Sequence, residues 1–218
     1  MSVITIERKV LAKNDEIAKA NRDLFRNRGI YVLNMVSSPG AGKTSLLERT
    51  LAHFQGQLPI AVIEGDVQTD FDAQRVAKFN VPVVQIVTNG GCHLDAKLVA
   101  DALQNLDLTN IKIVVIENVG NLVCPANYDL GEEIKVVVAS TTEGDDKPLK
   151  YPTMFRNASV LIINKIDLLP HLPSDVETLK KNALSINPSL QVFETSCTTD
   201  AGIAGWCEWL EKTCAKKP

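Results

Sequence analysis

Short apolar runs rich in valine and isoleucine recur along the chain, and segments with helical periodicity separate them. A strand buried on both faces is a near-continuous apolar run, and helical crossovers join parallel strands. The pattern therefore predicts an α/β fold: a doubly wound, mainly parallel sheet of about seven strands with helices on both faces. The predicted strands cover residues 30–36, 60–63, 83–87, 113–116, 134–139, 160–163 and 192–194, and the predicted helices 45–54, 70–79, 94–106, 175–186 and 203–216.

The length of the chain favours one structural domain. Its 218 residues, 45% of them hydrophobic, are enough to bury one sizeable core and are few for two. A charged segment with helical periodicity precedes the first strand. We therefore predict an N-terminal helical extension over residues 1–28, packed on the sheet or on a partner, and a main domain over residues 29–218.

The charge balance argues against nucleic acid or a membrane surface as a partner. The formal net charge is −3, whereas such binders usually need a basic excess. No apolar run approaches the ~18 to 20 residues that cross a bilayer, and the first ten residues lack the apolar stretch of a signal peptide. Five irregularly spaced cysteines favour free thiols or metal ligands over a disulfide framework. We therefore expect a cytoplasmic protein.

The segment SSPGAGKT, residues 37–44, lies between the first predicted strand and the first predicted helix of the main domain. This spacing is typical of a phosphate loop, in which backbone N–H groups wrap phosphates, the lysine reaches the terminal phosphates and the threonine hydroxyl binds Mg²⁺. Ser37 occupies the place of the pattern's first glycine, so its backbone must adopt a conformation that serine tolerates. The predicted nucleotide contacts are Gly40, Ala41, Gly42, Lys43, Thr44 and Ser45.

The segment NKID follows the predicted strand 160–163. A carboxylate at Asp167 can accept two N–H donors from the edge of guanine, and adenine does not offer that pair. Asn164 and Lys165 would shape the base pocket, and the backbone N–H groups of Ser196 and Cys197 would contact the guanine oxygen. Together with the phosphate loop, the segment favours GTP and GDP over ATP.

Acidic side chains follow two further strands. Asp66 and Glu117 are predicted to hold Mg²⁺ or its water with Thr44, and Asp72 is predicted to position water or act in a switch. The alternative for Asp72 is a helix N-terminus, where an acidic side chain favours the helix dipole. Lys43, Asp66, Asp72 and Glu117 are thus the candidate catalytic residues.

Soft metal ligands occur in two loops. Cys92 and His93 follow one strand, and Cys124 lies seven residues after Glu117. Thiolate and imidazole suit Zn²⁺ or Ni²⁺, but three ligands do not close a tetrahedral site, so a twofold dimer would supply the rest. Cys124 could instead be a small core residue. Packing roles are expected for Cys207 and Cys214.

These residues resemble the hydrogenase nickel-incorporation GTPases, the HypB family of phosphate-loop proteins. The resemblance rests on SSPGAGKT, EGDVQTDFDAQRV, CHLDA, IENVGNLVCP, STTEGDDK and NKIDLL in this order. It implies a slow GTPase that forms a homodimer with GTP, binds Ni²⁺ or Zn²⁺ at the interface through Cys92, His93 and Cys124, and assists nickel insertion into [NiFe] hydrogenase. The implied partners are a HypA-type nickel chaperone and the hydrogenase large subunit. It also implies that Lys150 reaches across the dimer interface as a nucleotide contact.

Some members of that family carry N-terminal cysteines or a histidine-rich stretch that bind nickel. This sequence has no cysteine before Cys92 and no histidine before His53, so the interface site is the expected nickel site. Two alternatives stay open at this point. One is a related GTPase that serves urease or cobalamin enzymes, and the other is a metal-binding scaffold without catalysis.

Overall fold

The computed structural model describes residues 6–216, within which seven strands form one entirely parallel sheet. The strands are β1 (Tyr31–Ser37), β2 (Ile60–Asp66), β3 (Val83–Val87), β4 (Ile113–Glu117), β5 (Ile134–Ser140), β6 (Val160–Asn164) and β7 (Gln191–Glu194). The helices are α1 (Ile6–Asn27), α2 (Lys43–Phe54), α3 (Phe71–Ala77), α4 (Ala96–Leu103), α5 (Lys147–Lys150), α6 (Pro152–Asn157), α7 (Val176–Ile186) and α8 (Ile203–Ala215). Two 3₁₀ turns cover Cys124–Asn127 and Ile166–His171.

The predicted doubly wound α/β fold is confirmed, with a sheet that is parallel throughout rather than mainly parallel. The outer ends of the predicted extension and of the main domain, residues 1–5 and 217–218, lie outside the described residues. No helix in the described part of the chain combines the length and the apolar character needed to span a membrane.

The strand order, β3-β2-β4-β1-β5-β6-β7, places β1 at the centre of the sheet. Because all the strands are parallel, their carboxyl ends meet at one edge, where ligands of such folds bind. The loops after β3 and β4, which carry the predicted metal ligands, are separated by β2. The loops after β6 and β7, which carry the predicted base contacts, lie on the other side of β1.

The side chains of β1 show how both faces of the sheet are covered. Leu33 and Met35 point to one face and pack in the cluster that includes α2 and α8. Val32 points to the opposite face, where α1 and α4 cover the sheet, and Val36 packs in the cluster that includes α6 and α7. Burial on both faces explains why the strands are near-continuous apolar runs.

Helix α1 is tied to the sheet by apolar and polar contacts. The buried Phe25 packs with residues of β1, β2 and α4. The Asn21 amide donates to the carbonyls of Ala96 and Leu130, at 2.9 and 3.1 Å. These bonds hold α1 against the first residue of α4 and against the segment before β5.

Helix α4 begins two residues later than the sequence predicts. Asp95 is its N-cap, and the Asp95 carboxylate accepts from the backbone N–H of Leu98 at 2.8 Å. A capping aspartate satisfies an N–H group that has no partner inside the helix. Leu94 therefore belongs to the preceding loop, where it is fully buried.

Candidate functional site

The phosphate loop, residues 37–44, joins β1 to α2. Gly42 has φ +98° and sits just before the first residue of α2. The Lys43 ammonium donates to Ser37 Oγ at 3.0 Å and lies 3.9 Å from Glu117 Oε1. Ser37 ends β1 and has no positive φ, so serine is accommodated without strain at this position. The N-terminus of α2 thus faces the carboxyl edge as an anion-binding end.

The base loop, residues 164–167, braces the phosphate loop from the other side. Asn164 Nδ2 donates to the carbonyl of Ala41 at 3.0 Å, and Lys165 Nζ donates to the carbonyl of Gly40 at 2.7 Å. Asp167 follows in the first turn of the 3₁₀ turn Ile166–His171. The structure therefore brings the predicted base contacts to the phosphate loop, although they are more than 120 residues apart in sequence.

Ser196 differs from the prediction. Its backbone N–H donates to the carbonyl of Ala201 at 2.9 Å, so this group is already used and does not point a free donor toward a base. The Ser196 hydroxyl accepts from the N–H groups of Thr198 and Thr199. The Cys197 thiol donates to Asn164 Oδ1 at 3.5 Å, which puts Cys197 beside the base loop, and the contact of its backbone N–H with the guanine oxygen stays a prediction.

Two buried carboxyl groups lie under the phosphate loop. Thr44 Oγ1 donates to Glu117 Oε1 at 2.8 Å. Glu64 is the register partner of Glu117 on the neighbouring strand, and the two are 1% and 3% exposed. Among the described residues, Glu64 Oε1 and Glu117 Oε2 have no hydrogen-bond partner. Facing carboxyl groups of this kind need a shared proton or a cation.

The pKa values of these acids follow their surroundings. Burial and the neighbouring Glu117 raise the pKa of Glu64, and burial also raises the pKa of Glu117 against the opposing effects of Lys43 and Thr44. At Asp66, partial burial acts to raise the pKa, but N–H bonds from Thr69 and the residue before it lower it below its ordinary value. Asp66 therefore ionises more readily than Glu64 and Glu117 do.

Asp72 lies in the first turn of α3. This position fits both alternatives for Asp72, a favourable interaction with the helix dipole and the positioning of a water molecule. It also has a specific partner. Arg75 donates to Asp72 Oδ1 at 3.1 Å, to both carboxylate oxygens of Glu48 at 3.0 and 2.7 Å, and to Ser45 Oγ at 3.2 Å. The guanidinium thus fixes the direction of the Asp72 carboxylate beside the phosphate loop.

The predicted metal ligands meet on the neighbouring part of the edge. One ligand atom from each of Cys92, His93 and Cys124 lies within 4.8 Å of the others, and all three residues are partly exposed. Cys92 Sγ lies 3.5 Å from His93 Nδ1. The hydrogen bond to Cys124 raises the pKa of Cys92, and burial lowers the pKa of His93. A neutral imidazole and two thiols can hold a soft divalent ion once the thiols release their protons.

The metal ligands lie in two loops, the histidine loop (residues 88–95) and the cysteine loop (residues 118–128). Contacts between side chains and backbone join these two loops. Asn118, directly after Glu117, accepts from the backbone N–H of Leu94 at 3.0 Å. The Leu94 side chain in turn lies against Gly65, where a Cβ would come within 2.8 Å of it. The ring of Tyr128 packs on His93 with centroids 4.1 Å apart.

Three residues of this edge were not predicted from sequence. Arg75 lies three positions after Asp72 on a helix, a spacing that signals an ion pair and could have found it. Glu64 is an acid inside an apolar strand, which is itself a signal. Lys147 donates to Ser38 Oγ at 2.9 Å, a contact across 109 residues that no local pattern reveals.

The remaining candidates lie away from these clusters. Lys150 is exposed on α5 and pairs with Asp146 at 2.7 Å. His53 and His171 are exposed. Cys207 is fully buried on α8, and Cys214 packs against the same core, as expected for packing residues.

Comparisons with known proteins agree with this geometry. The family model of the CobW/HypB/UreG nucleotide-binding domain matches residues 31–194. Hydrogenase maturation factor HypB of Azotobacter vinelandii is 51% identical over 210 residues, covering 96% of this chain and 69% of that protein. The HypB of Escherichia coli (strain K12) is 50% identical over 209 residues, with 96% and 72% coverage.

Among solved structures, HypB from Helicobacter pylori in complex with nickel matches with a TM-score of 0.89 and 37% identity, covering 94% of this chain and 96% of that one. The chain belongs to the CobW/HypB/UreG family of nucleotide-binding proteins and, within it, to the HypB proteins.

Proposed function

We propose that this chain is a GTPase that assists nickel insertion into [NiFe] hydrogenase and holds the nickel as cargo at Cys92, His93 and Cys124. The observation that carries the proposal is the convergence of these three ligands within 4.8 Å, on the sheet edge that also bears the phosphate loop. The relatives named hydrogenase maturation factors and the nickel complex of the H. pylori protein support it.

In the proposed reaction, the backbone N–H groups of residues 40–45 hold the phosphates and Lys43 neutralises charge that develops on the terminal phosphate. Thr44, Asp66 and Glu117 would hold Mg²⁺, for which the partnerless oxygen of Glu117 is a fitting ligand. The bound Mg²⁺ would supply charge neutralisation between the phosphates. Asp72, held by Arg75, orients the attacking water.

The base preference follows from the base loop. Asp167 accepts two N–H donors of guanine, and Asn164 and Lys165 keep the pocket in register with the phosphate loop through their contacts to Ala41 and Gly40. GTP is therefore the proposed substrate and GDP the product.

Coupling of nucleotide to nickel would run through the cysteine loop. Glu117 touches Thr44 of the phosphate loop, Asn118 is bonded to the histidine loop, and Cys124 follows six residues later. A change in the contacts of Glu117 on hydrolysis would alter the separation between Cys124 and the Cys92–His93 pair. Zn²⁺ suits the same ligands and is the proposed competing ion.

We also propose a homodimer formed across the carboxyl edge, since three ligands leave a tetrahedral site incomplete. Apolar side chains exposed along this edge support it, because exposed apolar patches mark interaction sites. They are Val67, Phe71, Val87, Val123 and Leu149. Lys150, next to the last of these, would reach the partner subunit.

The other proposed partners are a HypA-type nickel chaperone and the hydrogenase large subunit. A cytoplasmic location is proposed as well, because no disulfide joins the five cysteines, all of which lie in the described part of the chain, and the metal site needs reduced thiols.

The proposal is tested by measuring nickel affinity with GDP and with a non-hydrolysable GTP analogue. We expect the two affinities to differ by about tenfold, a common size for coupled sites. Cys124→Ala should lose most of the binding in both states, while Cys214→Ala, a cysteine outside the site, should bind as the parent protein does. Equal affinities with both nucleotides would contradict the coupling, and unchanged binding by Cys124→Ala would contradict the site.

A further inference from the structure

Lys135 is a buried cation directly beneath the cysteine loop. It lies on β5 beside Asn34 of β1, and only 7% of it is exposed. Its ammonium donates to the carbonyls of Pro125, Ala126 and Tyr128, at 3.2, 3.3 and 3.1 Å. An ammonium has three donors, so every one of them is used on a single short segment of the chain.

A charge in such a place is costly unless it is balanced and fully hydrogen-bonded. Glu132 supplies the balance, with its carboxylate 3.8 Å from the ammonium. Glu132 is itself held in place, since it accepts from Asn34 Nδ2 at 3.1 Å and from the N–H of Leu130 at 2.6 Å. The ammonium is therefore anchored from the sheet side and offers its donors upward to the loop.

The segment held by Lys135, Pro125 to Tyr128, borders both halves of the metal site. Cys124, the thiol ligand on this loop, directly precedes Pro125. The last residue of the segment is Tyr128, whose ring packs on the His93 imidazole with centroids 4.1 Å apart. One ammonium thus holds the backbone next to Cys124 and also the backbone of Tyr128, whose ring packs on His93.

We propose that Lys135 is a positioning residue of the metal site and that its ammonium sets the separation between Cys124 and His93. It touches neither the metal nor the nucleotide and acts through the three carbonyls. This inference rests on the proposed function, because it requires that Cys92, His93 and Cys124 bind a metal ion.

The test compares Ni²⁺ binding by the full chain and by Lys135→Met, whose unbranched apolar side chain is one atom shorter and has no donors. We expect the nickel dissociation constant to rise about 10- to 100-fold, the usual effect of losing a group that orients a metal ligand. Affinity for a GTP analogue should change by no more than about twofold, as for substitutions away from a site.

Co²⁺ as a spectroscopic probe gives a second readout that a purely structural role would not move. We expect its thiolate charge-transfer bands to shift or weaken in Lys135→Met, because the geometry of the thiol ligands changes. Lys180→Met is the matched control: it removes another ion-paired ammonium, one that contacts Glu177 and Glu194 on the far side of the sheet. Its nickel affinity and Co²⁺ spectrum should equal those of the parent protein.

Lys135→Gln keeps the test decisive if the methionine variant does not fold, because glutamine still offers two donors. We expect a nickel affinity between those of the parent protein and Lys135→Met. Parent-like nickel affinity and Co²⁺ spectrum in a folded Lys135 variant would overturn the positioning role alone. Absence of Ni²⁺ binding by the parent protein itself would overturn the proposed metal site, and the inference with it.

Discussion

Gly42 lies where the phosphate loop meets the base loop. Its φ of +98° is in the left-handed region that favours glycine, and an added Cβ would lie 2.5 Å from Asn164 Nδ2. The same Asn164 amide donates to the carbonyl of Ala41. A side chain at position 42 must therefore push apart the two loops that are proposed to contact the nucleotide.

For Gly42→Ala we expect the affinity for GDP to fall at least about tenfold and the free energy of unfolding to fall by roughly 1 to 3 kcal/mol, from the strained backbone and the displaced amide. Nucleotide titration and urea denaturation measure the two effects. The control is Gly205→Ala in α8, where a Cβ has open space. Alanine should there raise stability by about 0.5 to 1 kcal/mol. Parent-like GDP affinity in Gly42→Ala would show that the loops separate freely.

At the scale of elements, an ion pair joins α1 to the segment before β5. Arg22 donates to both carboxylate oxygens of Asp129, at 2.6 and 2.7 Å. Burial acts to raise the pKa of Asp129, but the bonds from Arg22 and from the N–H of Gly131 outweigh it and lower that pKa below its ordinary value. Asp129 directly follows Tyr128 in sequence, so its ion pair with Arg22 also holds the end of the cysteine loop against α1.

A lowered pKa in the folded state gives stability that is present above the unfolded-state pKa of about 3.9 and is lost as the pH falls through the folded-state value. We expect Asp129→Asn to be less stable than the parent protein by about 1 kcal/mol at pH 7, a modest value because the carboxylate is 37% exposed. The difference should shrink steadily as the pH falls below 4.

Urea unfolding of both proteins at pH 7, 5 and 3.5 measures this dependence. Asp101→Asn removes the carboxylate of an exposed pair with Lys97 and should change stability by only a few tenths of a kcal/mol. A stability difference for Asp129→Asn that does not vary with pH would contradict the assigned ion pair.

The strands could be predicted from sequence because burial on both faces produces apolar runs that need no knowledge of the partner strand. The meeting of Cys92, His93 and Cys124 was inferred from loops that follow strands of a parallel sheet. Contacts set by tertiary packing were out of reach: the pairing of Glu64 with Glu117, Lys147 on the phosphate loop, and the internal bond that occupies the Ser196 N–H.

At the scale of the whole molecule, the exposed apolar side chains of the carboxyl edge predict where a second copy docks. Leu149 on α5 is 55% exposed. For Leu149→Asp we expect weaker dimerisation with a GTP analogue and Ni²⁺, because a charge there would be buried against the partner. Light scattering over a range of protein concentrations measures it.

The matched control is Leu184→Asp, the same substitution at a leucine that is 37% exposed near the end of α7. Since α7 runs from the carboxyl edge back toward the start of β7, this residue lies away from the proposed interface. It should dimerise as the parent protein does. Equal dimerisation by Leu149→Asp, or a protein that stays monomeric under every condition, would argue against an interface on this edge.

The central position of β1 separates two groups of loops at the carboxyl edge. The loops after the strands on one side carry the proposed metal ligands, those on the other side carry the proposed guanine contacts, and the phosphate loop lies between them. The bonds described between the two sides meet at the phosphate loop: Asn164 and Lys165 donate to the carbonyls of Ala41 and Gly40, and Thr44 donates to Glu117. The strand order thus gives two groups of loops, one on each side of β1, that are linked through the phosphate loop.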